Sequence, residues 1–351
     1  MKKWTRAFAV LLSACLLAAG VCAEVSSSKC ADSVRKVIID TDVGSDDAAA
    51  LVLAASDGGL DILGVTVLYG NVPLDRAAAN ALMTLEVCGC HAPVYIGASR
   101  PLVRERKETI SVHGEDGMGD QGLIHPLHRP EKGNAVDFIL DSIRKNPEEV
   151  EIIALGPLTD LALAVRQDSE TVKRIKRIWV MGTAGFGSGN ASPVAEFNVY
   201  VDPDAYDEVL RAGLPMTIIG LDCMEEGTRI DPKDMDALAR GNARGRFMHG
   251  AFTKLFAFYR SLGQNMGVPD ALAVAAAIWP EYVLETTPCY GAVCLGEGPA
   301  YGQVVLYRKG AVYEAMPKIG MYNLDVVSKI DSGLYKKNFM RAMTANCPPS
   351  D

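Results

Sequence analysis

The chain has 351 residues, of which 49% are hydrophobic and 22% charged, so a disordered or low-complexity protein is excluded. Its net charge of −8 argues against a nucleic-acid-binding protein, because a polyanionic partner requires a basic surface. Nine cysteines in a chain of this length are too few for a small disulfide-stapled scaffold.

Residues 1–23 have the pattern of a secretory signal peptide. Three basic residues precede an apolar run over residues 7–21, and small residues end the segment at Ala23. The apolar run is shorter than the roughly 20 residues that cross a bilayer, so no transmembrane anchor is expected after cleavage. We therefore predict a periplasmic or secreted protein whose mature part begins after Ala23.

Cysteine chemistry leaves several alternatives open in an exported protein. Cys15 lies in a Leu-Ser-Ala-Cys stretch that resembles a lipobox, so a lipid anchor is the alternative to cleavage. Cys88-Gly-Cys90 lacks the two-residue spacer of a redox or zinc pair. Export permits disulfides, and Cys289–Cys294 or Cys30–Cys347 could pair. Seven cysteines lie outside the predicted signal peptide: Cys30, Cys88, Cys90, Cys223, Cys289, Cys294 and Cys347.

The rest of the chain alternates strand patterns with helical patterns. Short apolar runs predict strands at residues 37–39, 62–69, 94–96, 152–155, 178–181 and 216–219. Helical periodicity predicts helices at residues 48–55, 76–87, 135–145, 158–166 and 203–211. After residue 231 the pattern is helical, with strands again at 304–307 and 324–327 and a last helix at 335–343. This rhythm predicts one large α/β domain with a mostly parallel, open, Rossmann-like sheet and helices on both faces. Ligands of such sheets bind at the carboxyl ends of the strands.

Four carboxylates follow the first predicted strand within eight residues, at Asp40, Asp42, Asp46 and Asp47. Crowded carboxylates repel one another and raise each other's pKa, and a hard divalent cation is the usual remedy. Capping of the next helix by Ser45 or Asp46 explains one acid but not four. The pattern therefore favours a site for a metal ion or a polar substrate.

Two other acidic motifs share features with this segment. An EF-hand loop requires Glu at its twelfth position, which is Leu51 counted from Asp40 and Leu53 counted from Asp42. A Mg²⁺-dependent phosphatase of the aspartyl-phosphate type is the stronger alternative, since it also uses two Asp separated by one residue. Gly44 stands where such enzymes usually have Thr or Val.

Residues 40–48 resemble the Asp-x-Asp-Pro-Gly-x-Asp-Asp signature of the inosine-uridine preferring nucleoside hydrolases, with Val43 in place of proline. Further matching stretches follow in order: Gly70-Asn71, the His-Gly-x-x-Gly-x-Gly loop at 113–119, the turn at 154–160, residues 189–191, residues 194–198 and Asp270. The resemblance covers residues 36–345 and implies one nucleoside hydrolase domain over residues 24–351. It implies hydrolysis of purine or pyrimidine ribonucleosides to base and ribose for salvage, by a homo-oligomer (dimer or tetramer).

The resemblance also implies a role for each matching residue. It implies Ca²⁺ bound by Asp42, Asp47, Asp270 and the backbone carbonyl of Leu155. Asp42 would also act as general base, and Asp46 would bind the ribose 2′-hydroxyl. Other residues are implied to contact the ribose or the attacking water, with Asn198 also catalytic: Asn71, Met181, Asn190, Glu196 and Asn198.

Activation of the leaving base is where the chain departs from the family pattern. Many members have His immediately before the last acidic ligand, but here Pro269 precedes Asp270, and proline has no proton to donate. His113 is then predicted as the catalytic acid. Aromatic residues before this turn are alternative activators by stacking on the base: Phe256, Phe258 and Tyr259. A non-catalytic protein that binds nucleoside or ribose is the other alternative, and the base preference is not specified.

The remaining histidines have no motif around them and are predicted to be surface or structural residues: His91, His125, His128 and His249.

Overall fold

The computed structural model describes residues 34–105, 112–312 and 323–344. The predictions for the signal peptide, for Cys15 and for a Cys30–Cys347 disulfide fall outside these ranges. Within them, no helix combines the length and the apolar composition needed to cross a bilayer.

The described residues contain strands and helices in the alternating order that the sequence predicts. The strands are β1 (Arg35–Thr41), β2 (Leu60–Val67), β3 (Val94–Ile96), β4 (Glu151–Ala154), β5 (Arg177–Met181), β6 (Met216–Ile219), β7 (Val283–Val293), β8 (Val304–Arg308) and β9 (Leu324–Ile330). The α-helices are α1 (Ser45–Ala55), α2 (Leu74–Cys88), α3 (Ala135–Lys145), α4 (Thr159–Val172), α5 (Phe197–Val201), α6 (Pro203–Arg211), α7 (Pro232–Ala239), α8 (Ala243–Ala251), α9 (Thr253–Ser261), α10 (Pro269–Ile278) and α11 (Ser332–Thr344).

The described strands form one nine-stranded sheet in the order β3-β2-β1-β4-β5-β6-β9-β7-β8. Neighbours from β3 through β9 pair in parallel, and β7 pairs antiparallel with both β9 and β8, so among the described strands only β7 runs in the opposite direction. The prediction of a mostly parallel open sheet is confirmed. The strand order reverses between β1 and β4, which is the topological switch point where ligands of such sheets bind.

Hydrophobic cores lie on both faces of the sheet, as predicted. One core contains side chains of α1, α2, α8, α10 and α11, and the other contains side chains of α3, α4 and α6. Helix α1 is buried from Ser45 through Ala54, and α10 is buried from Asp270 through Ala277. Both helices are rich in alanine, whose small side chain lets two helices approach closely, and they pack against each other. Their first turns are thereby brought together beyond the carboxyl end of β1.

Among the described strands and α-helices, α5 and β7 were not predicted from the sequence. Helix α5 has five residues, too few to show a helical period. Strand β7 contains Pro288, which argues against a strand when it is met in a sequence. The proline is accommodated because β7 changes partners there: β9 pairs with Val283–Cys289 and β8 pairs with Cys289–Val293.

The suggested Cys289–Cys294 disulfide is wrong, because both residues are free thiols. Cys289 lies within β7 and Cys294 directly follows that strand. Five residues of extended chain span about 16 Å, whereas bridged cysteines have Cα atoms within about 7 Å of each other.

Candidate active site

The acidic segment after β1 and the first turn of α10 form one buried cluster. Asp42 and Asp47 are fully buried, Asp46 is 8% exposed and Asp270 is 3% exposed. One carboxylate oxygen from each of Asp46, Asp47 and Asp270 lies within 4.8 Å of the others. We call Asp42, Asp46, Asp47 and Asp270 the acidic cluster. Asp270 is more than 200 residues away in sequence and reaches the cluster through the packing of α10 on α1.

Short hydrogen bonds hold two of these carboxylates in place. Asp47 accepts from the Thr41 hydroxyl on Oδ1 (2.5 Å), and from the Gly44 N–H (2.8 Å) and the Asn71 amide (3.0 Å) on Oδ2. Asp42 accepts from the Asn71 backbone N–H on Oδ2 (2.6 Å). Its other oxygen, Oδ1, is buried and has no hydrogen-bond partner among the described residues. This oriented oxygen is available to a ligand.

The acidic cluster has little positive charge beside it. No ion pair among the described residues joins a Lys or Arg to any of its four carboxylates. Burial raises the pKa of Asp46 and of Asp47 to about 6. Burial and then repulsion from Asp47 raise the pKa of Asp42 and of Asp270 well above the usual range. A set of oxygen donors this crowded, with one buried oxygen unpartnered, fits a hard divalent cation.

The Leu155 carbonyl and Asn198 meet beside the cluster. Asn198 Nδ2 donates to the Leu155 carbonyl at 2.7 Å and to the Met181 carbonyl at 3.3 Å. A Cβ placed on Gly156 would come within 3.0 Å of Asp42 Oδ1, so the backbone after β4 runs directly alongside that carboxylate. The structure thus joins Leu155, which follows β4, to Met181 at the end of β5 and to Asn198 in α5, and the Leu155–Gly156 backbone lies beside Asp42.

Glu196 and Asn190 organise the segment that carries Asn198. The buried Glu196 carboxylate accepts from the backbone N–H of Asn198 at the start of α5 (2.8 Å) and from that of Thr183, which follows β5 (3.2 Å). Burial raises the pKa of Glu196 to about 7. Asn190 is exposed, and its side-chain oxygen accepts from the Phe197 N–H at 2.8 Å. In this structure Asn190 therefore bonds to the loop backbone, and its predicted contact with ribose stays a prediction.

His113 is buried beside the cluster. Its Nδ1 lies 2.8 Å from the Ser45 hydroxyl and 3.4 Å from the Ser45 backbone N–H, and its Nε2 lies 3.6 Å from Asp46 Oδ1. The backbone N–H can only donate, so we assign Nδ1 as an acceptor and place the ring proton on Nε2. Burial lowers the pKa of His113 to about 4, so the ring is neutral near pH 7.

Among the three aromatic candidates, Tyr259 lies within electrostatic range of the cluster. Burial, followed by the negative charge of Asp46, raises the pKa of the Tyr259 hydroxyl. The Arg229 guanidinium lies 5.6 Å from the centre of the Tyr259 ring. Phe256 packs against the hydrophobic core, and Phe258 is 37% exposed.

Sequence reasoning missed the roles of three hydroxyl groups. Thr41 and Ser45 lie inside the acidic motif, where they bond to Asp47 and His113, and Tyr206 donates to the Met181 carbonyl at 3.3 Å. Thr41 and Ser45 occupy positions where the family pattern specifies no residue type, so only the geometry reveals their contacts.

Comparison with known proteins identifies relatives of this fold and site. The profile described as inosine-uridine preferring nucleoside hydrolase matches residues 37–337. Uridine nucleosidase 1 of Arabidopsis thaliana is 39% identical over 214 residues, which are 60% of this chain and 63% of that protein, just under two thirds of its length. The pyrimidine-specific ribonucleoside hydrolase RihB of Escherichia coli is 32% identical over 295 residues, which are 82% of this chain and 92% of that protein.

Solved structures give the same picture. The plant nucleoside hydrolase PpNRh1 superimposes with a TM-score of 0.82 at 30% identity, covering 89% of this chain and all of that chain (100%). The inosine-guanosine nucleoside hydrolase IG-NH superimposes with a TM-score of 0.80 at 30% identity, covering 88% of this chain and 98% of that chain.

Two observations show that the phosphatase alternative is wrong: the burial of Asp40 and the extent of the family match. That chemistry requires Asp40 as an accessible nucleophile, but Asp40 is fully buried and accepts a hydrogen bond from Thr66 at 2.6 Å. The family match covers the acidic motif, the α10 carboxylate and the sheet that joins them. The chain therefore belongs to the inosine-uridine preferring nucleoside hydrolases, a family of N-glycosyl hydrolases that act on ribonucleosides.

Proposed function

We propose that this protein is a Ca²⁺-dependent ribonucleoside hydrolase that prefers pyrimidine to purine ribonucleosides. The observation that carries the proposal is the acidic cluster itself, with three carboxylate oxygens within 4.8 Å and the unpartnered Asp42 Oδ1. The pyrimidine preference is supported by the relatives at 39% and 32% identity, which are named for uridine and for pyrimidine ribonucleosides.

The ligands proposed for the cation are Asp42, Asp47, Asp270 and the Leu155 carbonyl. All of them are oxygen atoms, and Ca²⁺ accepts six to eight such ligands with flexible geometry. When bound, the cation supplies Lewis acidity that lowers the pKa of water and helps to orient the sugar. Asp46 is the most exposed carboxylate of the cluster, which suits a role in accepting a hydrogen bond from a ribose hydroxyl.

Asp42 is the group best placed to act as general base. The Asn71 N–H fixes its Oδ2, which leaves Oδ1 as the free basic oxygen. Cleavage of an N-ribosidic bond develops positive charge on the sugar, and the surrounding carboxylates stabilise that charge.

His113 and Tyr259 are the groups proposed to act on the leaving base. Because His113 is neutral near pH 7, we propose that it donates a hydrogen bond from Nε2 and does not act as a pre-protonated acid. Tyr259 is the aromatic candidate close enough to the cluster for the charge of Asp46 to raise its pKa, and we propose that it contacts the base.

A substrate panel tests this proposal. Purified full-length protein is incubated with uridine, inosine and p-nitrophenyl riboside, with chelator and after addition of Ca²⁺ or Mg²⁺. We expect uridine to be cleaved faster than inosine, with activity lost to the chelator and restored by Ca²⁺. Faster cleavage of inosine would overturn the pyrimidine preference, and full restoration by Mg²⁺ alone would overturn the calcium assignment.

The nitrophenyl substrate separates the remaining alternatives, since its good leaving group needs little acid catalysis. Cleavage of this substrate alone would mean that activation of the natural base has been lost. Binding of ribose without cleavage of any substrate would favour the non-catalytic alternative.

We further propose that the protein is exported, acts in nucleoside salvage and assembles as a dimer or tetramer. Export is supported by the pattern of residues 1–23. Amino-terminal sequencing of the mature protein should begin at Glu24, whereas a lipid-modified Cys15 would identify the anchored form. Light scattering of the purified protein gives its mass in solution and would contradict the assembly if it reported a monomer.

A further inference from the structure

Thr183, two residues after the end of β5, has a backbone conformation that its own side chain disfavours. Its φ angle is +69°, in the left-handed region, and the residue is only 1% exposed. A β-branched residue is a true outlier there, whereas glycine adopts this conformation without strain. Strain of this kind persists only where the surrounding contacts hold a residue in place, and it concentrates at functional sites.

Three hydrogen bonds hold Thr183 in this conformation, and each reaches a different segment. Its backbone N–H donates to Glu196 Oε2 at the start of α5 (3.2 Å). Its carbonyl accepts from the Leu221 N–H in the segment after β6 (3.1 Å). Its hydroxyl accepts from the Gly185 N–H (3.0 Å) in the glycine-rich loop over residues 184–189. One strained residue therefore ties three segments together.

The bond from Thr183 to Glu196 belongs to a series of contacts that ends at the acidic cluster. Glu196 also accepts from the Asn198 N–H (2.8 Å), and Asn198 Nδ2 donates to the carbonyl of Leu155, a proposed cation ligand (2.7 Å). Burial and then the charge of Asp46 raise the pKa of Glu196 to about 7, so this carboxylate lies within electrostatic range of the cluster. A change in the direction of the Thr183 N–H would remove one of the donors that orient Glu196.

The hydroxyl of Thr183 and the carboxylate of Asp222 hold the glycine-rich loop together. Asp222 accepts from the Phe186 N–H at 2.9 Å, one residue after the N–H that bonds to Thr183. A Cβ placed on Gly185 would collide with the Asp222 carboxylate, so the loop backbone lies directly against it. Glycine at position 183 would relieve the strain, but it would take away the acceptor of the Gly185 N–H.

We propose that Thr183 is a positioning residue for ribonucleoside hydrolysis, whose left-handed backbone directs an N–H at Glu196 and whose hydroxyl anchors the glycine-rich loop. The inference rests on the proposed function, because it takes Glu196 and Asn198 as groups that contact the ribose. The strain follows from meeting both demands with one residue. Glycine meets only the first demand, and an unstrained threonine meets only the second.

Steady-state kinetics of the full-length protein test this role, with Ca²⁺ present and with whichever of uridine and inosine the wild type cleaves faster. Thr183→Gly removes the strain and the hydroxyl, and Thr183→Val keeps the shape of the side chain but removes the acceptor. In both variants KM should rise about tenfold, the equivalent of about one hydrogen bond, with kcat within about twofold of the wild type. Thr183→Ser retains the hydroxyl and should keep KM within about twofold of the wild-type value.

An unchanged KM in either Thr183→Gly or Thr183→Val, or a KM in Thr183→Ser as high as in Thr183→Val, would overturn the role of Thr183. These comparisons are made relative to the wild type, so they are distinct from a failure of the proposed function. If the wild type itself cleaved neither nucleoside, the proposed function would be refuted.

Thermal unfolding separates positioning from a purely structural role. Because Thr183→Gly relieves strain, its Tm should be no lower than that of the wild type even though its KM rises. Glu148 has a similar left-handed backbone (φ +63°) in an exposed turn before β4, so Glu148→Gly is the matched control and should raise Tm with KM unchanged. A Tm of Thr183→Gly below the wild-type value would overturn the assignment of strain to Thr183.

Discussion

Two groups of buried aspartates lie close together at the carboxyl end of β1, and they differ in what neutralises them. In the acidic cluster, the oriented Asp42 Oδ1 has no partner among the described residues, and we propose that a cation occupies this place. Two residues earlier, Asp40 faces Asp160 of α4 in a closed environment. We call Asp40 and Asp160 the closed pair.

The closed pair is enclosed by donors from the protein itself. Asp40 Oδ1 accepts from the Thr66 hydroxyl (2.6 Å), and Asp160 Oδ1 accepts from the Ala98 N–H (2.8 Å). Both Oδ2 atoms are buried without another donor among the described residues. Burial raises the pKa of Asp160 to about 7, and one proton shared between the two Oδ2 atoms would satisfy both. We therefore expect a proton to relieve the crowding in the closed pair and the proposed cation to relieve it in the acidic cluster.

The largest expected effect comes from removing one charge from the acidic cluster. Asp47→Asn keeps the size of the side chain but removes a proposed cation ligand, so kcat should fall on the order of 10³-fold. Calorimetry should show that Ca²⁺ binding is lost. Asp61 is an exposed aspartate at the start of β2, so Asp61→Asn is the matched control and should retain both the wild-type kcat and Ca²⁺ binding. Stoichiometric Ca²⁺ in the Asp47 variant would refute the ligand assignment.

Substitutions in the closed pair should change stability and leave cation binding intact. Asp160→Ala leaves Asp40 buried without its partner, so the free energy of unfolding should fall by about 2 to 3 kcal/mol in urea titrations. Asp160→Asn supplies an amide donor to Asp40 and needs no shared proton. Near pH 7 it should therefore lower the free energy of unfolding less than Asp160→Ala does. Equal losses in the two variants would contradict the shared proton.

The closed pair also predicts a pH dependence of stability. Because the folded pKa of Asp160 is raised to about 7, its contribution to stability is present below the unfolded value of about 4 and is lost as pH rises through about 7. The stability of the wild type relative to Asp160→Asn should therefore fall between pH 4 and pH 7. A difference that does not change with pH would argue that the pair is not protonated.

The acidic cluster should show the opposite behaviour once Ca²⁺ is present. Its carboxylates bind protons at low pH, since burial raises the pKa of the proposed ligand Asp47 and of its neighbour Asp46 to about 6. Ca²⁺ competes with these protons, so the increase in Tm on adding Ca²⁺ should be small near pH 4.5 and grow through pH 6 to 7.5. Scanning calorimetry with Ca²⁺ or chelator measures this increase. If the increase in Tm were constant across that pH range, Ca²⁺ binding would not depend on these carboxylates.

The smallest expected effects come from replacing a threonine by valine, once beside the closed pair and once beside the acidic cluster. Thr66→Val removes the donor to Asp40 and should lower the free energy of unfolding by about 1 kcal/mol with kcat unchanged. Thr41→Val removes the donor to Asp47 and should weaken Ca²⁺ binding about tenfold. An equal effect of both variants on Ca²⁺ affinity would show that the two groups of aspartates are not independent.

Much of the fold and part of the site could be predicted because the signals are local. The strands that end at the site are short apolar runs, and Asp42, Asp46 and Asp47 are neighbours in sequence. Strand β7 was not predicted because it contains Pro288. The proline is tolerated where the pairing of β7 passes from β9 to β8, and such pairing is set only when the sheet is assembled.

The sequence by itself determined the α/β class, the acidic motif and the order of the family stretches, because each depends on residues a few positions apart. The tertiary structure decided which distant groups complete those motifs. Packing of the alanine-rich helices α1 and α10 brings Asp270 to Asp47, and burial makes His113 neutral. Burial and distance between chain segments are set only when the whole core is assembled, and they decide whether a carboxylate holds a proton or is free to bind a cation.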